Sequence, residues 1–306
     1  MAASAEGDHR AALAAVGAER IAALAETSDR PGLIRLASHL GLLVLTGSAI
    51  LAVEGWWRLP LQFLHGTVLV FLFSAAHECI HRTAFRTRWL NDATAWGAGL
   101  ALMLPPNAFR YFHFAHHRHT QDAERDPELA TPKPRTRGEY LRRLTGWSYW
   151  AAQTRSLINA AAGAPLPEYV PPRGAARVRR EARIYLAIYA AAALLPTLTG
   201  STLTLTLWVA PALLGQPMLR AFLLAEHTAC PLVPDMLANS RTTFAHRATR
   251  WLAWEMPWHT AHHAAPTVPF HRLAELTAEI EHALKSTAQG YLDAQGQILR
   301  AIDARR

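Results

Sequence analysis

The chain carries 16 histidines in 306 residues, and eight of them fall in three five-residue windows. These are His77-Glu78-Cys79-Ile80-His81, His113-Phe114-Ala115-His116-His117 and His259-Thr260-Ala261-His262-His263. On a helix, residues three and four apart share a face, with Cβ atoms roughly 5–6 Å apart. His77 and His81 therefore aim at one point. In each His-x-x-His-His window the first and last rings aim at one point, and the middle ring is offered to a neighbouring point. A lone histidine in such a chain reads as a structural group bonded to one carbonyl. Burying whole clusters without a shared partner would leave many ring nitrogens unsatisfied. The windows therefore read as metal ligands: His77, His81, His113, His116, His117, His259, His262 and His263.

Neutral imidazole suits iron, zinc, copper and nickel. Structural zinc is normally four-coordinate, so eight or nine ligands exceed one zinc site. Two ions with about four ligands each is the natural count. An iron pair could bind dioxygen and attack an unactivated C–H bond. An all-imidazole shell leaves the metal charge uncompensated, and carboxylates beside the windows could answer it while holding ring tautomers. Glu78, Asp122, Asp126, Glu226 and Glu255 are the candidates, each also readable as an ordinary solvated acid. Two rival chemistries share these residues. His77-Glu78-x-x-His81 matches the zinc-protease pattern, with glutamate as general base, but leaves the other windows without purpose. A metal transporter would place its site near the bilayer midplane on broken helices, whereas these windows border apolar stretches or lie in polar segments.

The elements that must carry the windows follow from composition. The chain is 51% hydrophobic and 18% charged, against about 25% charged for a soluble domain. Disorder and collagen are excluded, and two cysteines, Cys79 and Cys230, exclude a disulfide framework. Apolar stretches run over about 33–53, 59–76, 184–198 and 203–224. A span needs about 20 such residues. The expected fold is an all-α integral membrane protein, with about four transmembrane helices in two hairpins and both long polar segments on one side. A soluble four-helix bundle is the plainer alternative. Trp56-Trp57 in the first turn fits an interfacial aromatic belt. The apolar run 93–104 is too short to span and is expected along the interface or re-entering it. Residues 146–163 are expected as an interfacial helix, 165–172 as a proline-broken loop and 273–306 as soluble helix. Residues 1–30 read as a short polar helix or frayed tail without an export signal.

The net charge of +8 is localised. Residues 77–183 hold 17 Lys/Arg against 9 Asp/Glu, a surplus of eight, and the rest of the chain balances. A basic footprint can indicate nucleic acid. Between apolar stretches it reads instead as positive-inside bias and headgroup attraction, with no nucleic-acid partner, and with the windows and both termini on the cytoplasmic side.

With these residues in view, the three windows resemble the histidine boxes of the membrane fatty acid desaturase superfamily, which includes related hydroxylases and carotenoid-modifying oxygenases. The strings Phe109-Arg-Tyr-Phe-His-Phe-Ala-His-His-Arg-His-Thr-Gln-Asp and Met256-Pro-Trp-His-Thr-Ala-His-His, followed by Pro266-Thr-Val-Pro-Phe-His-Arg-Leu, are similar to bacterial members. The resemblance covers roughly residues 74–276 of a chain read as one desaturase-like domain, 1–306. It implies four transmembrane helices, a cytoplasmic cap and two irons held by about nine histidines. It implies His227, in Glu226-His227-Thr228, as the ninth ligand. Some members carry an Asn four residues before that histidine, where this chain has Leu223, so an Asn-held water is not expected here. Similar third boxes often hold an acid where this chain has Ala261. His119 and His271 lie outside the ligand spacing and are expected to be supporting or structural.

The implied activity is O2-dependent desaturation of a fatty acyl or lipid chain in a bacterial inner or plasma membrane, with hydroxylation of a lipid or specialised metabolite as the alternative. Electrons must come from outside. Gly97-Ala-Gly99 is not a complete dinucleotide fingerprint, and no cysteine set could hold an iron–sulfur cluster. The basic segment could dock ferredoxin or a similar acidic donor.

Overall fold

The computed structural model describes residues 8–305. It is almost entirely helical. Two short helices, α1 (His9–Val16) and α2 (Ala18–Leu24), precede α3 (Asp29–Ala52), α4 (Arg58–Val70) and α5 (Leu72–His81). Then come α6 (Arg88–Ala101), α7 (Pro106–His119), α8 (Arg137–Leu144), α9 (Trp147–Ala162), α10 (Pro172–Thr199) and α11 (Ala210–His227). The remainder holds α12 (Met236–Asn239), α13 (Arg247–Leu252), α14 (His259–Ala264), α15 (Leu273–Ile280) and α16 (Tyr291–Asp303). A two-residue parallel pair, β1 (Thr242–Thr243) with β2 (Thr287–Ala288), ties the segment after α11 to the C-terminal part.

Four helical stretches are long and apolar enough to cross a membrane: Asp29–Ala52, Gly55–His81, Pro172–Thr199 and Leu205–His227. Their outward residues are large and apolar, including Val44, Leu45, Leu64, Leu194, Leu198 and Leu205, as expected where lipid is the neighbour. The third is longer than its apolar run. It starts at Pro172, whose missing N–H is no loss at a first turn, and carries Arg173, Arg177, Arg179, Arg180 and Arg183 before the apolar half. α6 covers the short apolar run, packs on α5 and is not among the candidate spans.

α3 packs on α4, α11 packs on α4, and α10 packs on α9. The α4–α11 contact positions the chemistry, because α5 continues α4 and both α5 and α11 end in histidines. Gly66 and Gly215 meet there, and a Cβ on Gly66 would strike the Pro211 carbonyl. Small residues at a membrane helix crossing let the two backbones touch.

The N-terminal segment is neither frayed nor wholly polar from His9 onward. Ala12 and Leu24 are buried in the main core, Asp8 caps α1, and Arg20 pairs with Glu279 at 2.7 Å. Residues 1–7 of the expected tail lie outside the described residues.

Candidate metal centre

Four helix ends deliver the imidazoles. His77 and His81 close α5, one turn apart, and Arg82 in the left-handed region (φ 63°) terminates that helix. α7 opens on Pro105-Pro106 and presents His113, His116 and His117 in its last turns. His227 ends α11, and α14 carries His259, His262 and His263. Ligand atoms of His77, His81, His113, His117 and His262 lie within 4.8 Å of one another, as do those of His116, His227 and His263. His259 adjoins the second group, its Nε2 2.9 Å from His227 Nε2. Each His-x-x-His-His window is thus divided between the groups. The division follows from helix geometry, since positions i and i+4 face one way and i+3 lies across the ridge. His119 and His271 belong to neither group.

The second group is hard to account for without a cation. His116 Nδ1–H donates to Asp126 Oδ1 (2.9 Å), His227 Nδ1–H to the Asn239 carbonyl (3.0 Å), and His263 Nδ1–H to Thr120 Oγ1 (3.2 Å). Each neutral ring then turns an Nε2 lone pair inward. Those of His116 and His227 face each other at 3.2 Å, and His263 Nε2 is buried with no donor. Facing lone pairs repel unless a positive ion stands between them. In the first group His117 Nε2 is 2.8 Å from His113 Nε2 and 3.1 Å from His262 Nε2. Nitrogens each about 2.1 Å from one ion and at right angles to each other stand about 3 Å apart. The donor set therefore fits metal, and its all-nitrogen character suits iron, zinc, copper or nickel alike. Burial, reinforced by neighbouring imidazoles, holds His113, His117, His259, His262 and His263 well below the ordinary histidine pKa, so these rings are neutral and able to ligate.

The five carboxylates expected beside the boxes separate sharply. Asp126 is buried, bonds His116 and also accepts the backbone N–H of Gln121 (2.8 Å) and Glu128 (2.9 Å). Glu226 Oε1 stands 3.5 Å from His259 Nδ1. The other three touch no imidazole. Glu78 accepts from Thr83 Oγ1 (2.8 Å) and Phe270 N–H (3.2 Å), tying the end of α5 to the loop before α15. These bonds commit Glu78 to holding the fold rather than to acting as the general base that a zinc-protease site needs. Asp122 is spent on Arg125 at 2.6 Å. Glu255 pairs with Arg35 and Arg250 and accepts from Trp258 Nε1.

One carboxylate escaped the sequence reading. Glu128 Oε2 is 3.3 Å from His116 Nδ1, and its other oxygen is 2.5 Å from Lys133 Nζ. Burial pushes its carboxyl up, but Lys133 outweighs that and holds it below the usual range. The available signal was its place across Pro127 from Asp126, in the same turn after the second box.

A cavity of about 430 Å³ opens onto His77, His113, His116 and His259, which come from both groups. Its walls are largely apolar, with Phe73, Phe109, Phe112, Leu157, Val170 and Val178 prominent. This size lies within the range of small-molecule sites.

The family model for fatty acid desaturases matches residues 54–294, which include all nine histidines. The chain is similar to the sn-1 oleoyl-lipid 12-desaturase of Picosynechococcus sp., 26% identical over 255 residues, covering 76% of this chain and 72% of that one. It is similar to the sn-1 oleoyl-lipid 12-desaturase of Arthrospira platensis, 24% identical over 247 residues, 73% of this chain and 68% of the other. A shorter stretch of 88 residues, 28% of this chain and 24% of the other, is 28% identical to the sn-1 acyl-lipid omega-3 desaturase (ferredoxin) of Nostoc sp.. Apolar spans, converging imidazoles and a match across most of the length lead to one assignment: the chain belongs to the fatty acid desaturase family.

Proposed function

We propose that the chain desaturates a fatty acyl or lipid chain at two irons. One is held by His77, His81, His113, His117 and His262, the other by His116, His227, His259 and His263. Iron bound there would supply dioxygen activation and the oxidising power to remove two hydrogens from adjacent methylenes. Reducing O2 to two waters takes four electrons. The substrate C–H bonds yield two, so an external donor supplies the other two with two protons. The 17 Lys/Arg against 9 Asp/Glu over residues 77–183 support docking of an acidic donor such as ferredoxin, and favour the cytoplasmic side for boxes and termini. The short turns at 53–57 and 200–204 support two membrane hairpins beneath a helical cap.

The chain's own groups do the positioning. Asp126, the Asn239 carbonyl and Thr120 fix the rings of His116, His227 and His263 with Nε2 inward. Apolar walls exclude water and hold methylenes against the imidazole face. The observation that carries this reading is that one apolar-walled cavity reaches histidines of both groups.

Expression in a bacterial host with lipid profiling by mass spectrometry tests it, with His262→Ala as control. Products lighter by two mass units, absent in the control, are expected. A gain of sixteen units instead would replace desaturation with hydroxylation.

A further inference from the structure

Three Lys/Arg side chains line the cavity, and two are committed to the protein. Lys133 Nζ is 2.5 Å from Glu128 Oε1. Arg143 Nη2 donates to the Pro132 carbonyl at 2.7 Å and the Thr131 carbonyl at 3.4 Å. Arg220 differs. Among the described residues it has no hydrogen bond and no ion pair, and its Nε is buried without an acceptor. Its guanidinium lies over the Tyr149 ring, 4.4 Å from the centroid. That ring is itself fixed, because the Tyr149 hydroxyl donates to the Leu102 carbonyl at 2.6 Å.

Arg220 stands two turns before His227 on α11, about 10 Å along the axis, inside a stretch apolar enough to span. Glu226 and Glu128, which share the cavity lining, attract its charge, but neither reaches ion-pair distance. A guanidinium whose N–H groups lack acceptors is disfavoured there, and stacking on one aromatic face offsets only part of that cost. The stack leaves its N–H groups without a protein acceptor among the described residues, and so available to a ligand. The guanidinium fork matches the two oxygens of a carboxylate or phosphate.

We infer that Arg220 receives the anionic group of the substrate, a carboxylate or phosphate oxyanion, while the acyl chain fills the apolar remainder of the cavity beside the histidines. This rests on the desaturase reading of the site and narrows its substrate class to acyl chains with a negatively charged head.

The test is binding to the purified, metal-loaded full chain, followed by tryptophan fluorescence without electron donor. Four probes are compared: stearate, methyl stearate, stearoyl lysophosphatidic acid and monostearoyl glycerol. At least one anionic probe should bind about tenfold tighter than its neutral counterpart, a difference of about 1.4 kcal/mol. Preference for stearate alone assigns a free carboxylate, and preference for the lysophosphatidic acid alone assigns a lipid phosphate; either supports the inference. Arg220→Gln should reduce the preference to less than about twofold. Arg220→Lys should keep part of it, since the charge stays and the fork is lost. Arg220→Glu should reverse it in favour of stearylamine. Metal content and melting temperature check that each variant is folded, and the Lys variant decides the matter if the Gln variant is not. Equal binding of neutral and anionic probes by the unaltered chain, or a preference that survives Arg220→Gln, overturns the inference. Because no turnover is involved, absence of desaturation in the lipid profile counts against the functional reading and leaves this measurement standing.

Discussion

Two kinds of buried histidine occur in this molecule. His39 and His65 lie within the first two spans and are buried, like most of the box residues. Each finds protein partners for both ring nitrogens. His39 Nε2–H donates to the Val68 carbonyl at 2.9 Å, and its Nδ1 accepts from Trp254 Nε1 at 3.3 Å. His65 meets the Thr46 hydroxyl at 2.7 Å and donates to the Leu207 carbonyl at 3.0 Å. The latter repairs a defect, since Pro211 has no N–H to offer the carbonyl four residues before it. The box histidines behave oppositely. His77 Nδ1, His81 Nε2, His117 Nδ1, His262 Nδ1 and His263 Nε2 are buried with no partner, and other ring nitrogens face one another. Burial therefore does not separate a strut from a ligand. Convergence does: the box nitrogens face one another, whereas His271, whose Nδ1 is also buried without a partner, stands outside both groups.

The largest expected effect tests that distinction directly. His113→Ala and His259→Ala each remove a ring from a different group, and each should lower bound iron to one ion per chain or fewer and abolish desaturation, read by metal analysis and lipid profile. His39→Phe should retain the full metal content. Full iron and activity in both alanine variants would dissolve the difference between the two kinds.

A smaller effect sharpens it. Asp126 fixes His116 from behind, and partners of this sort typically change metal affinity by 10–100-fold when altered. Asp126→Asn should weaken metal retention by roughly that factor in a chelator competition, without destroying the site. An unchanged affinity would mean that the inward turn of His116 is set by Glu128, 3.3 Å from the same nitrogen, or by packing.

These partners also mark where sequence reading stops. The boxes were legible because their spacing repeats helical geometry, and that geometry alone divides His116 from His113 and His117. The four apolar stretches were legible from their length and near-absence of charge. Partners that come from loops were not. Asn239 and Thr120 reach His227 and His263 through tertiary register, which no local pattern encodes. Nearness in sequence also misled. Glu78 adjoins His77 but points to Thr83 and Phe270, and Glu255 follows the arginines around it. Short helices are equally opaque: α1 and α2 bury little beyond Ala12 and Leu24, too few apolar positions to distinguish docking from fraying.

His39 offers the next test, in stability rather than metal. His39→Phe leaves Trp254 Nε1 without its acceptor and the Val68 carbonyl without its side-chain donor. A buried polar group that loses its partner costs about 1–3 kcal/mol. Denaturant unfolding should show a loss of about that size with iron content intact. Loss of iron in step with stability would mean that the strut and the centre are one cooperative unit.

Asp122 should give the smallest response. It lies close to the second box in sequence, as Asp126 does, and on sequence grounds the two are equivalent candidates. In the fold Asp122 faces solvent. Its carboxylate takes the Arg125 guanidinium at 2.6 Å and the backbone N–H groups of Glu124 and Arg125 at 3.1 Å. The bond from Arg125, then that from Glu124, holds its carboxyl below the usual range. An exposed pair three residues apart contributes little, because water screens it and ordering two side chains opposes it. Asp122→Asn should therefore leave chelator competition and lipid products indistinguishable from the unaltered chain. Under the same assay the difference between Asn at 122 and Asn at 126 isolates what one bond to an imidazole Nδ1–H is worth. If the two variants weakened metal binding equally, the effect would come from negative charge near the centre, and the contact at His116 would carry no special role.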